Sequence, residues 1–253
     1  MFGSAITAER TSPEDVGQLK KTKMKRLTKK YLKEIADEKL GGMSDASKMP
    51  WLSWSLNSDD CKLGAVLKFA KGTVCSDCYA DKGNYNYPNV VAAQERRLQT
   101  LSVSPVARKK WRDNFIEFFQ GHIDMGLPED KRYFRWLDSG DIQSVEMLED
   151  IVDIARRVPA MQFWLPTREI RFIKEYLFTT PDIPGNICIR ISANQVGKKS
   201  SHGLAMLHKR FSDSTVDYFD EEYEECPAPK QDNTCGDCRK CWEPAAKVGY
   251  HKH

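Results

Sequence analysis

Apolar positions in the middle of the chain follow one repeating order: a short apolar run, a polar loop, then a helical repeat. Tyr133-Phe134-Arg135-Trp136-Leu137 predicts a strand, Asp138-Ser139-Gly140-Asp141 a loop, and Ser144 to Arg157 an amphipathic helix. The order returns with the strand Met161-Gln162-Phe163-Trp164-Leu165, the loop Pro166-Thr167-Arg168 and a helix from Glu169 to Phe178. A third strand, Asn186-Ile187-Cys188-Ile189-Arg190-Ile191, leads into Ser192-Ala193-Asn194-Gln195. Strand, loop and helix in succession predict an α/β fold of parallel βαβ units. Right-handed crossovers would place the three loops on one edge of the sheet, where α/β proteins put their sites. The few clear strands suggest an incomplete TIM-like barrel at most.

Upstream, Val90, Ala93, Arg97 and Leu101 share a helix from Asn89, and Trp111, Phe115, Phe118 and Phe119 share another after Pro105. Both read as packing helices. Met49 to Leu56 reads as an aromatic entry strand. Earlier still, Ser12-Pro13-Glu14-Asp15 is a helix start, and the helix is expected to reach about Leu40 and stop at Gly41-Gly42. Met24, Leu27, Tyr31 and Ile35 trace its apolar face among Lys20, Lys21, Lys23, Lys25, Arg26, Lys29, Lys30 and Lys33. Such a helix is either a solvated face or a phosphate-binding stripe that would take nucleic acid. The expected organisation is a basic helical extension over 1–42 and a single α/β domain over 43–253, which includes a cysteine-rich tail at 226–242.

Composition narrows the class. The chain has 253 residues, 40% hydrophobic and 30% charged, the profile of a soluble globular protein. A net charge of +3 does not by itself imply nucleic acid. No apolar run is long enough to cross a membrane. Met1-Phe2-Gly3-Ser4-Ala5 lacks the order of an export signal, so a reducing cytoplasm is expected, where clustered thiols bind metal more often than they pair.

That bears on the eight cysteines. Cys226, Cys235, Cys238 and Cys241 lie close in sequence, the last three spaced C-x2-C-x2-C. This spacing suits a [4Fe-4S] cluster first and a tetrahedral zinc second; two disulfides are the bland alternative. Cys61, Cys75 and Cys78 form a second candidate metal set, with a metal-free thiol cluster in the core as its alternative. Cys188, inside an apolar strand, reads as a buried structural thiol. Asp138, Asp141 and Arg168 are candidate catalytic residues, and Ser139, Gly140, Ser192 and Asn194 candidate cofactor-binding residues, because all are polar or glycine at the loop edge. Helix capping is the plain alternative for Asp141. Gly197 to Gly203 lacks the Walker spacing; His202 and His208 read as surface or packing residues, and His251 and His253 as a frayed terminus, with adventitious metal binding as the alternative.

With these residues assembled, the chain resembles the phage gene-product-88 family. The resemblance rests on Lys48-Met49-Pro50 with Ser53 to Leu56, Cys61, Cys75 to Ala80, and Ala93 to Arg96. It continues through Trp136 to Asp141, Phe163-Trp164 with Thr167-Arg168, Cys226-Pro227, and Cys235 to Trp242, from Lys48 to the C-terminus. It implies a phage protein acting in the host bacterial cytoplasm and supplies no mechanism. A looser likeness to the radical S-adenosylmethionine barrel rests on a cysteine cluster ahead of Asp138-Ser139-Gly140-Asp141, with a longer first cysteine gap than that family uses. The expected function is a [4Fe-4S] protein with a redox or structural role and an unidentified redox or protein partner. Two others remain: an enzyme using Cys61, Cys75 and Cys78 with S-adenosylmethionine, and a zinc-stabilised nucleic-acid-binding protein.

Overall fold

The computed structural model describes residues 27–179, 182–200 and 208–252. The helix start at Ser12, the lysines before residue 27, His202 and His253 lie outside the described residues.

Seven strands form one open sheet in the order β1-β2-β3-β4-β5-β7-β6, every neighbour parallel. They are β1 (Ser53–Trp54), β2 (Tyr133–Trp136), β3 (Gln162–Thr167), β4 (Ile187–Ser192), β5 (Phe211–Val216), β6 (Glu224–Glu225) and β7 (Val248–Tyr250). The α/β class and the parallel units expected from the pattern are therefore present.

The helices are α1 (Lys29–Glu34), α2 (Lys62–Leu67), α3 (Pro88–Thr100), α4 (Pro105–Asp124), α5 (Val145–Arg157) and α6 (Ile170–Thr179), joined by short 3-10 turns. Ser144 caps α5 by accepting from the Met147 N–H, and Glu146 adds an acid to its first turn.

Alternation along the strands makes two unlike faces. Phe134, Trp136, Phe163, Leu165, Ile187, Ile189, Ile191 and Phe211 join the main core, against Ile151 and Ile154 of α5, Ile173 of α6, and Trp111, Phe115 and Phe119 of α4. Aromatic rings dominate it: Trp136 stands edge-on to Phe115 at 4.8 Å and Phe134 at 5.0 Å. Leu32, Ile35 and Leu40 of the α1 region belong to this same core, and Gly121 lets α1 approach α4, since a Cβ there would meet Leu32 Cδ2 at 2.5 Å. α1 and the residues after it are thus packed into the main body.

Three expectations change. The entry strand shrinks to Ser53–Trp54, with Ser53 also bridged to Ser44. The buried positions of α3 are polar: Gln94 donates to Ser139 Oγ at 2.9 Å, and Arg97 to Ser55 Oγ at 2.7 Å and the Gly42 carbonyl at 3.0 Å. Strands β5 to β7 were not expected, because Ser212, Asp213, Ser214 and Thr215 make β5 look like loop although all four are buried.

Candidate metal centre

The second face of the sheet carries Tyr133, Arg135, Trp164, Cys188, Arg190 and Tyr250, and the cysteine-rich tail lies across it. Trp242 packs on Trp164 at 5.3 Å and Tyr133 at 5.6 Å, and its indole N–H donates to the Phe134 carbonyl at 3.0 Å. Arg239 covers the Tyr133 ring, and the Cys235 N–H donates to the Lys48 carbonyl.

Arg190 holds the tail from below. It is 0% exposed and donates to the carbonyls of Lys240 at 2.9 Å, Glu243 at 3.2 Å, Cys241 at 3.4 Å, Ala246 at 2.8 Å and Asp213 at 2.9 Å, and to Ser212 Oγ. Arg135 lies 4.4 Å over the Trp164 ring and donates to Tyr79 Oη and the Asp138 carbonyl. Neither guanidinium forms an ion pair with a carboxylate among the described residues. Both stand within charge range of Cys241.

All eight cysteines are free thiols. Cys226 and Cys241 are buried, and Tyr250 Oη lies 3.1 Å from Cys241 Sγ. Cys235 has Cys241 and Cys226 as neighbouring acids, and Cys241 has Cys226. Burial pushes the Cys235 thiol up to about 11 against the pull of Lys48 and Arg135, and burial raises Cys241 against that of Arg190. Without metal these thiols stay protonated at neutral pH, and binding a metal would displace their protons.

The second cysteine set sits at the carboxyl edge of the sheet. Cys61 precedes α2, and Cys75 opens the turn that reaches Cys78. A Cβ on Gly64 would stand 3.4 Å from Cys61 Sγ and 3.7 Å from Cys75 Sγ, so both sulfurs flank one point. Burial raises both thiols, the neighbouring acids Asp141 and Cys78 add to it, and Arg168 opposes. As the side chains stand, no three metal-binding groups among the described residues are close enough to hold an ion.

The candidate edge residues are mostly committed to the backbone. Asp141 accepts from the Thr167 hydroxyl at 2.6 Å and from the Ile142 and Arg168 N–H groups at 2.8 and 2.9 Å, which ties the loop after β2 to the end of β3. Burial still lifts its carboxyl to about 6. Glu169, which the sequence reading passed over, accepts from the Leu63 N–H and so fastens α2 to the same edge. Ser139 donates to the Leu56 carbonyl at 2.7 Å, and Gly140 lies against Leu56. Asp138 is buried and accepts from Tyr85 Oη at 3.3 Å through Oδ2; its Oδ1 has no hydrogen-bond partner among the described residues. Arg168 donates to the Ala193 carbonyl, Ser192 pairs with Ser214 in the sheet, and the Asn194 carbonyl accepts from the Val74 N–H.

The model of the gene product 88 family matches residues 18–244, a span that includes both cysteine sets and the edge loops. The chain belongs to the gene product 88 family. The match begins upstream of Lys48, so it takes in part of the basic helix that the motif resemblance left out. Within that match, Leu32, Ile35 and Leu40 belong to the main core of this phage gene-product family member. No curated protein matches the chain, and no solved structure does. Among the described residues no helix is long and apolar enough to cross a membrane.

Proposed function

We propose that this gene product 88 family member is an iron–sulfur protein whose cluster is held between the tail and the polar face of the sheet. Cys226, Cys235 and Cys241 are the central thiolates, and the C-x2-C-x2-C spacing supplies Cys238 as a fourth. The supporting observation is the pair of cations. A buried guanidinium without an anionic partner costs several kcal/mol of lost hydration. Arg190 is fully buried and Arg135 half-buried; neither forms a carboxylate ion pair among the described residues, and both are within charge range of Cys241. A thiolate-bound cluster would add negative charge to that already supplied by Asp138 and Asp213, and its potential would be tuned by these cations. Soft sulfur donors fit iron–sulfur or zinc and exclude the hard cations. The test is anaerobic purification of the full chain and of Cys241→Ala, with iron, sulfide and zinc analysis. The proposal expects iron and sulfide in the parent chain and a loss of most of both in the variant. Zinc in place of iron would move the reading to a structural metal site.

The meeting of Cys61, Cys75 and Cys78 with Arg168 favours a second reading: an enzyme with an open-site cluster that takes S-adenosylmethionine at the carboxyl edge. It expects the iron-loaded, reduced protein to bind that molecule in calorimetry. Absence of binding by iron-loaded protein removes it.

A further inference from the structure

Two indoles meet the cysteine tail, and they differ in one hydrogen bond. Trp242 gives its N–H to the Phe134 carbonyl at 3.0 Å. Trp164, on β3, is 4% exposed, and its Nε1 is buried with no hydrogen-bond partner among the described residues. A buried tryptophan N–H normally has an acceptor, and an indole nitrogen can only donate.

An unpartnered indole alone decides nothing. Trp136 Nε1 also has no partner among the described residues, but it stands in the main core, ringed by Phe115 at 4.8 Å and Phe134 at 5.0 Å. The setting of Trp164 is different. It packs in one cluster with Cys241 and Trp242, and the Tyr250 ring lies nearly parallel to it at 6.4 Å. Tyr250 Oη is itself 3.1 Å from Cys241 Sγ.

A second unused donor stands beside the first. Arg135 is the register neighbour of Trp164 on β2, and its guanidinium carbon is 4.4 Å from the centre of the Trp164 ring. Its Nη2 serves Tyr79 Oη and the Asp138 carbonyl, whereas its Nε is buried and has no partner among the described residues. Two nitrogens that can only donate therefore lie together on the polar face, one of them in the ring that packs with Cys241. What both lack is an acceptor.

We infer that the Trp164 indole N–H, with the Arg135 Nε–H beside it, donates to sulfur of the tail centre and raises its reduction potential. This rests on the iron–sulfur reading and says how that site is tuned; it holds whichever thiolates bind the iron. Cluster sulfur only accepts, and it gains negative charge on reduction. A fixed N–H therefore steadies the reduced form more than the oxidised one. Neither residue binds iron. One electron enters the cluster from an added reductant, and each proton stays on its nitrogen.

The experiment loads the full chain anaerobically with ferrous iron and sulfide, alongside Trp164→Phe and Trp242→Phe, and titrates each with dithionite. Both variants keep an aromatic ring and lose an N–H beside the same loop, but the Trp242 N–H is already spent on a carbonyl. The inference expects Trp164→Phe to keep the parental iron and sulfide and to accept its electron at a lower potential, and Trp242→Phe to keep the parental potential. An unchanged potential in Trp164→Phe, or an equal fall in both variants, overturns it. Because a core variant can fail to fold, a second measurement uses the parent chain alone, grown with indole-15N tryptophan, loaded, reduced and read by pulsed EPR. Coupling of the cluster spin to an indole 15N supports the inference. An iron-loaded parent chain without that coupling removes this inference alone, whereas a parent chain that takes up no iron and sulfide removes the iron–sulfur reading as well.

Discussion

Arg190→Met lowers the stability of the metal-free protein by about 3 kcal/mol and opens the tail to protease. Two effects oppose each other. Removing a buried cation recovers several kcal/mol of hydration cost, which favours the variant. Against that, the carbonyls of Asp213, Lys240, Cys241, Glu243 and Ala246 lose their shared donor. Three of the five keep a second donor: the Glu243 N–H for Lys240, the Ala246 N–H for Glu243 and the Ser212 hydroxyl for Ala246. An acceptor left unpaired costs about 1–3 kcal/mol, so the loss rests on the remaining two carbonyls and on the severed link between sheet and tail. Arg190→Lys keeps the charge but offers three donors in place of the planar fork, so it should fall between the two. Urea unfolding gives the stability, and limited proteolysis shows whether cleavage concentrates between residues 226 and 247. A loss below about 1 kcal/mol would mean that the tail is held by Trp242 and its ring contacts instead.

Gly140→Ala is expected to cost about 2–4 kcal/mol, from left-handed backbone strain and overpacking together. Gly140 has φ +73°, and a Cβ there would lie 2.6 Å from Leu56 Cβ and 2.9 Å from the Leu56 carbonyl oxygen. Leu56 is fully buried and its N–H donates to the Ser139 carbonyl, so it cannot swing aside. The loop must shift, and with it Asp138 and Asp141. Thermal unfolding of Gly140→Ala beside Gly126→Ala separates strain from collision, since Gly126 shares the positive φ with open space around it. Equal losses in the two variants would refute the role given to Leu56.

The strands that read clearly from the sequence are those whose inward side is continuous hydrocarbon. Ile187, Ile189 and Ile191 announce β4, and Phe134 with Trp136 announce β2. β5 did not, because Asp213 and Thr215 interrupt the side that Phe211 begins, while Ser212 on the other side lies between Arg190 and the Ala246 carbonyl. Helix α3 differs: of Val90, Ala93, Arg97 and Leu101 only Arg97 is fully buried, and it enters the interior with the unexpected Gln94 to satisfy the Gly42, Ser55 and Ser139 turns. At the candidate site, both cysteine sets were visible from spacing alone; that Asp141 lies within charge range of Cys61 and Cys75 shows only in the fold. What spacing could not show is that Cys188 faces the tail. The one available signal was Arg190, a cation inside an otherwise apolar strand, two residues from the thiol and therefore on its side of the sheet.

The central claim is that sulfur from the tail surrounds iron on the polar face of this sheet. Its most direct test is native mass spectrometry of the anaerobically purified chain, paired with iron and acid-labile sulfide analysis. The account predicts equal iron and sulfide, about four of each per chain. A chain carrying neither, with its tail thiols joined as disulfides, would contradict it.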